Sequence, residues 1–164
     1  MIVHKISTKL LTLLSQEANL SFRGRQHQNL HDSYSAPCQR LLNEITSESY
    51  IRPHRHLLDP KCESLFAVRG CFCLMIFSSE GLVVDNIYFG SEKYLNEKIT
   101  NVGVEIDSGI WHTVIGLSEN ATLLEVKAGP FMPANAKDYP NLAPCENTLG
   151  AKDYFDNLKE LVRL

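Results

Sequence analysis

The chain has 164 residues, of which 44% are hydrophobic and 21% charged, and its formal net charge at neutral pH is -3. This length suits a single domain whose core needs no disulfide or structural metal. Charges of both signs are mixed and form no basic stripe, which argues against nucleic-acid binding. The five cysteines have no zinc-finger spacing, and no apolar run has the length of a membrane span. We therefore expect a soluble, cytoplasmic protein without a membrane partner, since scattered cysteines suit a reducing compartment.

The first third of the chain predicts a helix and then a strand. Residues 5–19 place leucines at helical spacing, and Ser7 is a suitable N-terminal cap. We expect this helix to pack outside a sheet, because it lacks the basic face of a membrane anchor. Residues 20–36 are polar and indicate irregular structure or short edge strands, and residues 39–45 indicate a strand.

From Tyr50 onward, short apolar runs follow one another at the spacing of an all-β barrel or sandwich. We predict strands at 50–56, 63–69, 71–77, 82–89, 103–107, 111–117 and 121–127. A Pro-rich stretch, 130–144, predicts an ordered wrap over the sheets. The last segment, 152–164, has helical spacing and would cap the barrel or bury its apolar side against a second subunit.

The segment between Tyr50 and Gly70 has the features of half a metal site. On a strand, His54 and His56 would point to the same face. Asp59 and Pro60 then mark a turn, and Glu63 opens the next apolar run. That position would let the Glu63 carboxylate reach back to the two imidazoles.

A third imidazole comes from His112, which opens a strand after the turn at 107–109. Three histidines and a carboxylate fit a divalent first-row metal with open positions for water or substrate. Iron, manganese, nickel, cobalt and zinc all suit such ligands, so the sequence does not select among them. The simpler alternative is that these are unrelated polar residues at strand ends.

These residues resemble the two motifs of the cupin family. The first motif corresponds to His54-Arg55-His56, Glu63 and Gly70, and the second to Gly103, Asp107-Ser108-Gly109 and His112. The gap between His56 and Glu63 is longer than cupins usually have, and Gly116 replaces a common Asn. The resemblance implies a mainly all-β cupin fold, a double-stranded β-helix or jelly-roll barrel with flanking helices. The single domain would comprise an N-terminal helix (1–20), a barrel core (37–130), and a wrap with a C-terminal helix (131–164).

More of the chain resembles the WbuC-type cupin metalloproteins, over roughly residues 20 to 146. The matching runs are PCQRLLNEI from Pro37, YIRPHRH from Tyr50, Pro60-Lys61-Cys62-Glu63, Trp111-His112-Thr113 and LLEVKAGPF from Leu123. WbuC-type proteins are small bacterial proteins often associated with O-antigen and other surface-polysaccharide loci, without a settled reaction. The resemblance implies metal ligands at His54, His56, Glu63 and His112, and a homodimer, since cupins are commonly dimers.

Alternation along the strands predicts which polar residues would face a substrate. Tyr50 and Arg52 share the parity of His54, so we expect both to point into the barrel. Arg52 would then bind a substrate carboxylate or phosphate, or else pair with Glu125. On the last strand, Glu125 and Lys127 share a face and would form an acid/base pair or neutralise each other.

Other candidates for substrate binding are Gln39, on a mixed polar face, and Trp111, which would stack on a sugar ring or serve as wall or core. Cys71 and Cys73 share a face beside the metal motif, but their apolar neighbours favour core cysteines over thiolate ligands.

Three functions compete. The first is a metal-dependent enzyme, an isomerase/epimerase or an oxygenase, acting on a small polar substrate such as a sugar or nucleotide-sugar derivative in surface-polysaccharide biosynthesis. The second is a non-catalytic, metal-containing sugar-binding or regulatory cupin. The third is a metal-free epimerase with a histidine base, which is disfavoured because three histidines plus Glu63 form a ligand set. We favour the enzyme, with Glu125 and Lys127 as its catalytic pair.

Overall fold

The computed structural model describes residues 3–141 and 143–163. It contains two helices, α1 (Thr8–Leu20) and α2 (Leu149–Glu160), and short 3-10 turns at Glu92–Tyr94 and Pro133–Asn135. Its strands are β1 (Arg25–Asn29), β2 (Cys38–Ile45), β3 (Glu63–Arg69), β4 (Cys71–Phe77), β5 (Val83–Gly90), β6 (Gly103–Ile106), β7 (Trp111–Gly116) and β8 (Thr122–Ala128). No helix within the described residues is long and apolar enough to cross a membrane.

The strands form two antiparallel sheets, one of five strands in the order β1-β2-β8-β3-β6 and one of three in the order β5-β4-β7. Inward side chains of the two sheets share one core, in which Phe72 and Phe89 stack with ring centroids 5.1 Å apart. Gly70, with a φ of +78°, makes the tight turn that takes β3 of one sheet into β4 of the other. The predicted jelly-roll architecture with flanking helices is confirmed.

β4 reads CFCLMIF, a continuous apolar run typical of a strand buried on both faces. Phe72 and Leu74 point into the core between the sheets. Cys73 and Met75 point outward and are covered by Phe155 and other residues of α2. The C-terminal helix therefore buries its apolar side on this chain's own sheet. Cys73 is fully buried, as predicted for a core cysteine, and this burial raises its thiol pKa to about 12.

α1 covers the outer face of the large sheet. Its Leu11 and Leu14 pack on Leu42 of β2, and Ser7 caps the helix by accepting a hydrogen bond from the Leu10 amide. Beneath the helix, the buried Glu44 carboxylate accepts hydrogen bonds from side chains of three neighbouring elements: Ser15, Arg69 and Thr122. This network compensates the desolvation of a charge at the helix–sheet interface.

The predicted strand at 50–56 is wrong. This segment forms only isolated bridges, from His54 to His112 and from Arg55 to Asp138. Pro53 has no amide hydrogen to donate to a ladder, which limits continuous pairing here. The polar residues 20–36 include one short edge strand, β1, which was one of the two alternatives predicted for that stretch.

Candidate metal centre and its cavity

The candidate metal centre consists of His54, His56 and His112. One ring nitrogen from each lies within 4.8 Å of the other two, and the side chains are buried, with 5%, 4% and 1% of their surface exposed. Burial lowers the pKa of His54 well below its ordinary value, and nearby Lys137 acts in the same direction. A neutral imidazole is the form that ligates a metal.

Backbone pairing brings the histidines together. The amides and carbonyls of His54 and His112 exchange hydrogen bonds of 3.0 and 2.9 Å, which sets their side chains side by side. His56 follows two residues later, and its carbonyl accepts from the amide of Gly109 in the turn before β7. Gly109 has a φ of +84°, a conformation that favours glycine.

Each imidazole is oriented by a backbone carbonyl. The Nδ1 atoms of His54, His56 and His112 lie 3.0, 2.5 and 2.8 Å from the carbonyl oxygens of Arg52, Ala136 and Ile110, respectively. A carbonyl only accepts, so each Nδ1 donates its hydrogen to a carbonyl and leaves the opposite ring nitrogen, Nε2, to face the other histidines. The Nε2 atoms of His56 and His112 are buried without a hydrogen-bond partner among the described residues. Convergent, buried ring nitrogens fit a metal cation.

Glu63 completes this donor set. Its carboxylate oxygens lie 3.1 Å from Nε2 of His56 and 3.6 Å from Nε2 of His112. Burial acts to raise the Glu63 pKa, but His112, His56 and Lys127 outweigh it and hold the pKa well below its ordinary value. An ionised carboxylate this close to two ring nitrogens is favourable when a proton or a metal cation lies between them. The long gap after His56 therefore does not keep Glu63 from the histidines.

A cavity of about 450 Å³ adjoins the histidines between the two sheets. Strand register fixes the order of polar residues along its wall. Lys127 of β8 pairs in register with Gln39 of β2 on one side and Glu63 of β3 on the other. The Lys127 ammonium lies 3.3 Å from the Glu63 carboxylate. Lys127 therefore faces the metal centre as a counter-charge to Glu63.

Glu125 precedes Lys127 by two residues on β8 and therefore faces the same side. It pairs in register with Leu41 of β2 and Leu65 of β3. Burial beside these apolar residues raises its pKa to about 7, and the negative charge of Glu63 contributes in the same direction. Glu125 lines the cavity and has no basic group within ion-pair distance among the described residues. Such a carboxyl exchanges protons near neutral pH.

Gln39 also lines the cavity, but its amide nitrogen already donates to the carbonyl oxygens of Ser33, Tyr34 and Ala36, at 3.2, 3.2 and 2.9 Å. These bonds hold the β1–β2 connection over the cavity. Gln39 therefore shapes this wall, and only its side-chain oxygen is available to a ligand.

The inward orientation predicted for Tyr50 and Arg52 is wrong. The Tyr50 hydroxyl donates to the carbonyl of Pro144 over 2.9 Å, and its ring packs on Phe155 of α2. Arg52 lies over the ring of Tyr139, 4.7 Å from its centroid, and donates to carbonyls of the wrap. The alternation of side chains along a strand does not apply to Tyr50 and Arg52, because they belong to no regular strand. The predicted alternative of a pair between Arg52 and Glu125 is also absent among the described residues.

Trp111 also lies outside the cavity wall. The guanidinium of Arg55 stacks on its ring, 4.2 Å from the centroid, and the ring packs beside the outer cluster under α2. Of the two roles predicted for Trp111, the structure supports packing rather than contact with a sugar.

Lys137 is a cavity residue that sequence reasoning missed. It lies in the wrap, where no strand or helix period predicts the direction of a side chain, and it lines the cavity. Further cavity residues without an assigned role in the sequence include His27, His31, Tyr34 and Phe131. Identifying them as cavity residues requires the register of β1 and the path of the loops, which the sequence does not give.

Solved structures confirm the fold. Protein SO0799 from Shewanella oneidensis matches with a TM-score of 0.57 and 12% identity over 87% of this chain and 89% of its own. CapF, solved with the inhibitor 3-isopropenyl-tropolone, matches with a TM-score of 0.54 and 15% identity over 69% of this chain and 30% of its own. An oxalate oxidase in complex with the substrate analogue glycolate matches with a TM-score of 0.50 and 10% identity over 68% of this chain and 54% of its own.

The chain has the jelly-roll fold of these structures, and its three histidines form a candidate metal centre. The chain belongs to the family described as a domain of unknown function, DUF6016, whose model matches residues 6–89. No curated protein matches the sequence. The WbuC-type resemblance stays a prediction.

Proposed function

We propose that this protein is a metal-dependent enzyme that acts on a small polar substrate in the cavity beside His54, His56 and His112. The observation that carries this proposal is the shared orientation of the three imidazoles. Each Nδ1 is held by a backbone carbonyl, and the rings converge on one point next to a buried carboxylate. A transition metal held there supplies a Lewis acid or a redox centre.

Glu63 is a fourth candidate ligand, and Lys127 stabilises it as a carboxylate from 3.3 Å away. Glu125 faces the same cavity with a pKa of about 7, which suits the transfer of a proton to or from a substrate. We therefore retain Glu125 as the acid/base group and assign Lys127 to charge balance beside it. A cavity of about 450 Å³ fits a small molecule such as a sugar derivative.

The metal remains one of iron, manganese, nickel, cobalt and zinc, because the donor set suits each of them. A role in surface-polysaccharide biosynthesis rests on the WbuC-type resemblance alone and stays a prediction. The same holds for a homodimer.

A substrate panel tests for catalysis. Protein loaded separately with each of the five metals would be incubated with aldoses, uronates, hydroxy acids and nucleotide sugars. Proton NMR in D2O detects isomerisation or epimerisation, and an oxygen electrode detects oxygenation. We expect turnover that is lost in Glu125→Gln and retained in Glu119→Gln, an exposed carboxylate outside the cavity. Saturable binding without turnover for any metal would contradict the enzyme and support the non-catalytic binding module.

A further inference from the structure

Lys137 is fixed in the cavity wall by contacts of its two neighbours. The carbonyl of Ala136 accepts from Nδ1 of His56, and Asp138 pairs with Arg55 through both backbone and side chain. The backbone at Lys137 is therefore tied to the metal motif on either side. Its side chain lines the cavity and remains accessible to solvent.

The Lys137 ammonium lacks a fixed anionic partner. Within the part of the chain that the structure describes, no carboxylate lies within 4.0 Å of it, and it donates no hydrogen bond. The other cavity lysine, Lys127, is in contact with Glu63. An ammonium in a concave wall without a protein partner is free to pair with an anionic ligand.

The surroundings favour a carboxylate over a phosphate. Phosphate sites use several donors at once, such as a helix N-terminus or an arginine fork. Arg23 and Arg25 also line the cavity, but both pair with the carboxylate of Glu146, at 3.4 and 2.6 Å. A single available ammonium matches a group with one negative charge.

The cavity also offers partners for hydroxyl groups. His27 of β1 pairs in register with Asn43 of β2, both line the cavity, and neither side chain has a hydrogen-bond partner among the described residues. We propose that the substrate is a small hydroxycarboxylic acid whose carboxylate is bound by Lys137 beside the metal centre. This inference rests on the proposed function, because it places the acid next to a bound metal.

Cobalt-loaded protein and simple probes test this substrate class. Calorimetry would measure the dissociation constants of lactate, its neutral analogue lactamide, and inorganic phosphate, and the visible cobalt spectrum would report ligand binding at the metal. We expect lactate to bind better than either lactamide or phosphate. Lys137→Met should weaken lactate binding about tenfold to a hundredfold and leave lactamide unchanged. Lys137→Arg should retain most of the affinity, and Lys98→Met, at an exposed lysine outside the cavity, should behave as the parent.

Three other results would contradict the proposal, and each identifies the part that is wrong. Equal binding of lactate and lactamide to cobalt-loaded parent, or unchanged lactate binding in Lys137→Met, refutes the inference and leaves the metal centre intact. Stronger, Lys137-dependent binding of phosphate refutes the carboxylate assignment. Failure to load cobalt contradicts the proposed function and removes the inference with it.

Discussion

Arg55 and Asp138 are joined twice, by a backbone bridge with N–O distances of 3.0 and 2.9 Å and by a 2.8 Å bond from Nε to the carboxylate. Arg55 lies between His54 and His56, and its guanidinium also stacks on Trp111. The pair therefore connects the metal motif to the wrap that carries Ala136 and Lys137. Because the Ala136 carbonyl orients His56, the position of the wrap affects the metal centre.

Removing the charge of Asp138 should therefore weaken metal binding. We expect Asp138→Asn to reduce metal affinity by about tenfold, the low end of the effect of residues that orient ligands. Competition against a chromogenic chelator measures this affinity. Asp32→Asn, at an exposed aspartate without an ion pair among the described residues, is the matched control. Equal metal affinity in Asp138→Asn and the parent would show that the pair does not position His56.

Glu125 should make the metal-free protein less stable as the pH rises. Its pKa is about 7 in the folded state against an ordinary value of 4.5, so the folded state holds a proton that the unfolded chain releases between those values. Stability is then lost as the pH rises through this range, and the loss is complete above the folded pKa. The Glu125→Gln variant lacks this titration.

Urea denaturation of chelator-treated protein at pH 5 and pH 8 tests whether Glu125 lowers the stability as the pH rises. From pH 5 to pH 8, the free energy of unfolding should fall more in the parent than in Glu125→Gln. Glu119→Gln should keep a constant offset from the parent. A parent that gains stability relative to Glu125→Gln at pH 8 would mean that Glu125 is ionised in the folded state.

Glu44 should stabilise the packing of α1 on the large sheet. Glu44→Gln keeps the size of the side chain but removes the charge that pairs with Arg69 and accepts from Thr122. Arg69 is partly exposed, so we expect a loss of about 1–3 kcal/mol in the free energy of unfolding. Denaturation in urea measures the loss, with Glu119→Gln as the exposed control. A change no larger than that of the control would contradict a stabilising role for this network.

Phe155 should protect the outer face of β4. Phe155→Ala removes a ring that is 4% exposed and covers Cys73, so we expect a loss of about 3–5 kcal/mol. Cys73, unreactive in the parent, should become accessible to a thiol reagent below the unfolding transition. Mass spectrometry of labelled peptides distinguishes it from the exposed Cys38, Cys62 and Cys145. Unchanged labelling of Cys73 would mean that α2 does not shield this face.

Local pattern was enough to predict most of the fold. The apolar run of β4, the cap at Ser7 and the turn before His112 each depend on neighbours in sequence, and each lies where it was expected. The meeting of His54, His56 and His112 was likewise predicted, although their segment is not a full strand. The bridge between His54 and His112 achieves the same alignment with a single pair of residues.

Tertiary structure determined the rest of the cavity. Parity gave the wrong direction for Tyr50 and Arg52, because a segment held by isolated bridges can rotate between residues. Lys137 reaches the cavity through the path of the wrap, which depends on contacts with Arg55 and His56 distant in sequence. Neither outcome has a periodic signal in the sequence.

Metal content is the most direct test of the central claim. Elemental analysis would compare untagged parent, purified without chelator, with a His54→Ala, His112→Ala double variant and with His27→Ala, a cavity histidine outside the cluster. We expect close to one equivalent of a transition metal in the parent and in His27→Ala, and almost none in the double variant. A parent that contains no metal and cannot be reconstituted with any of the five candidates would contradict the metal centre.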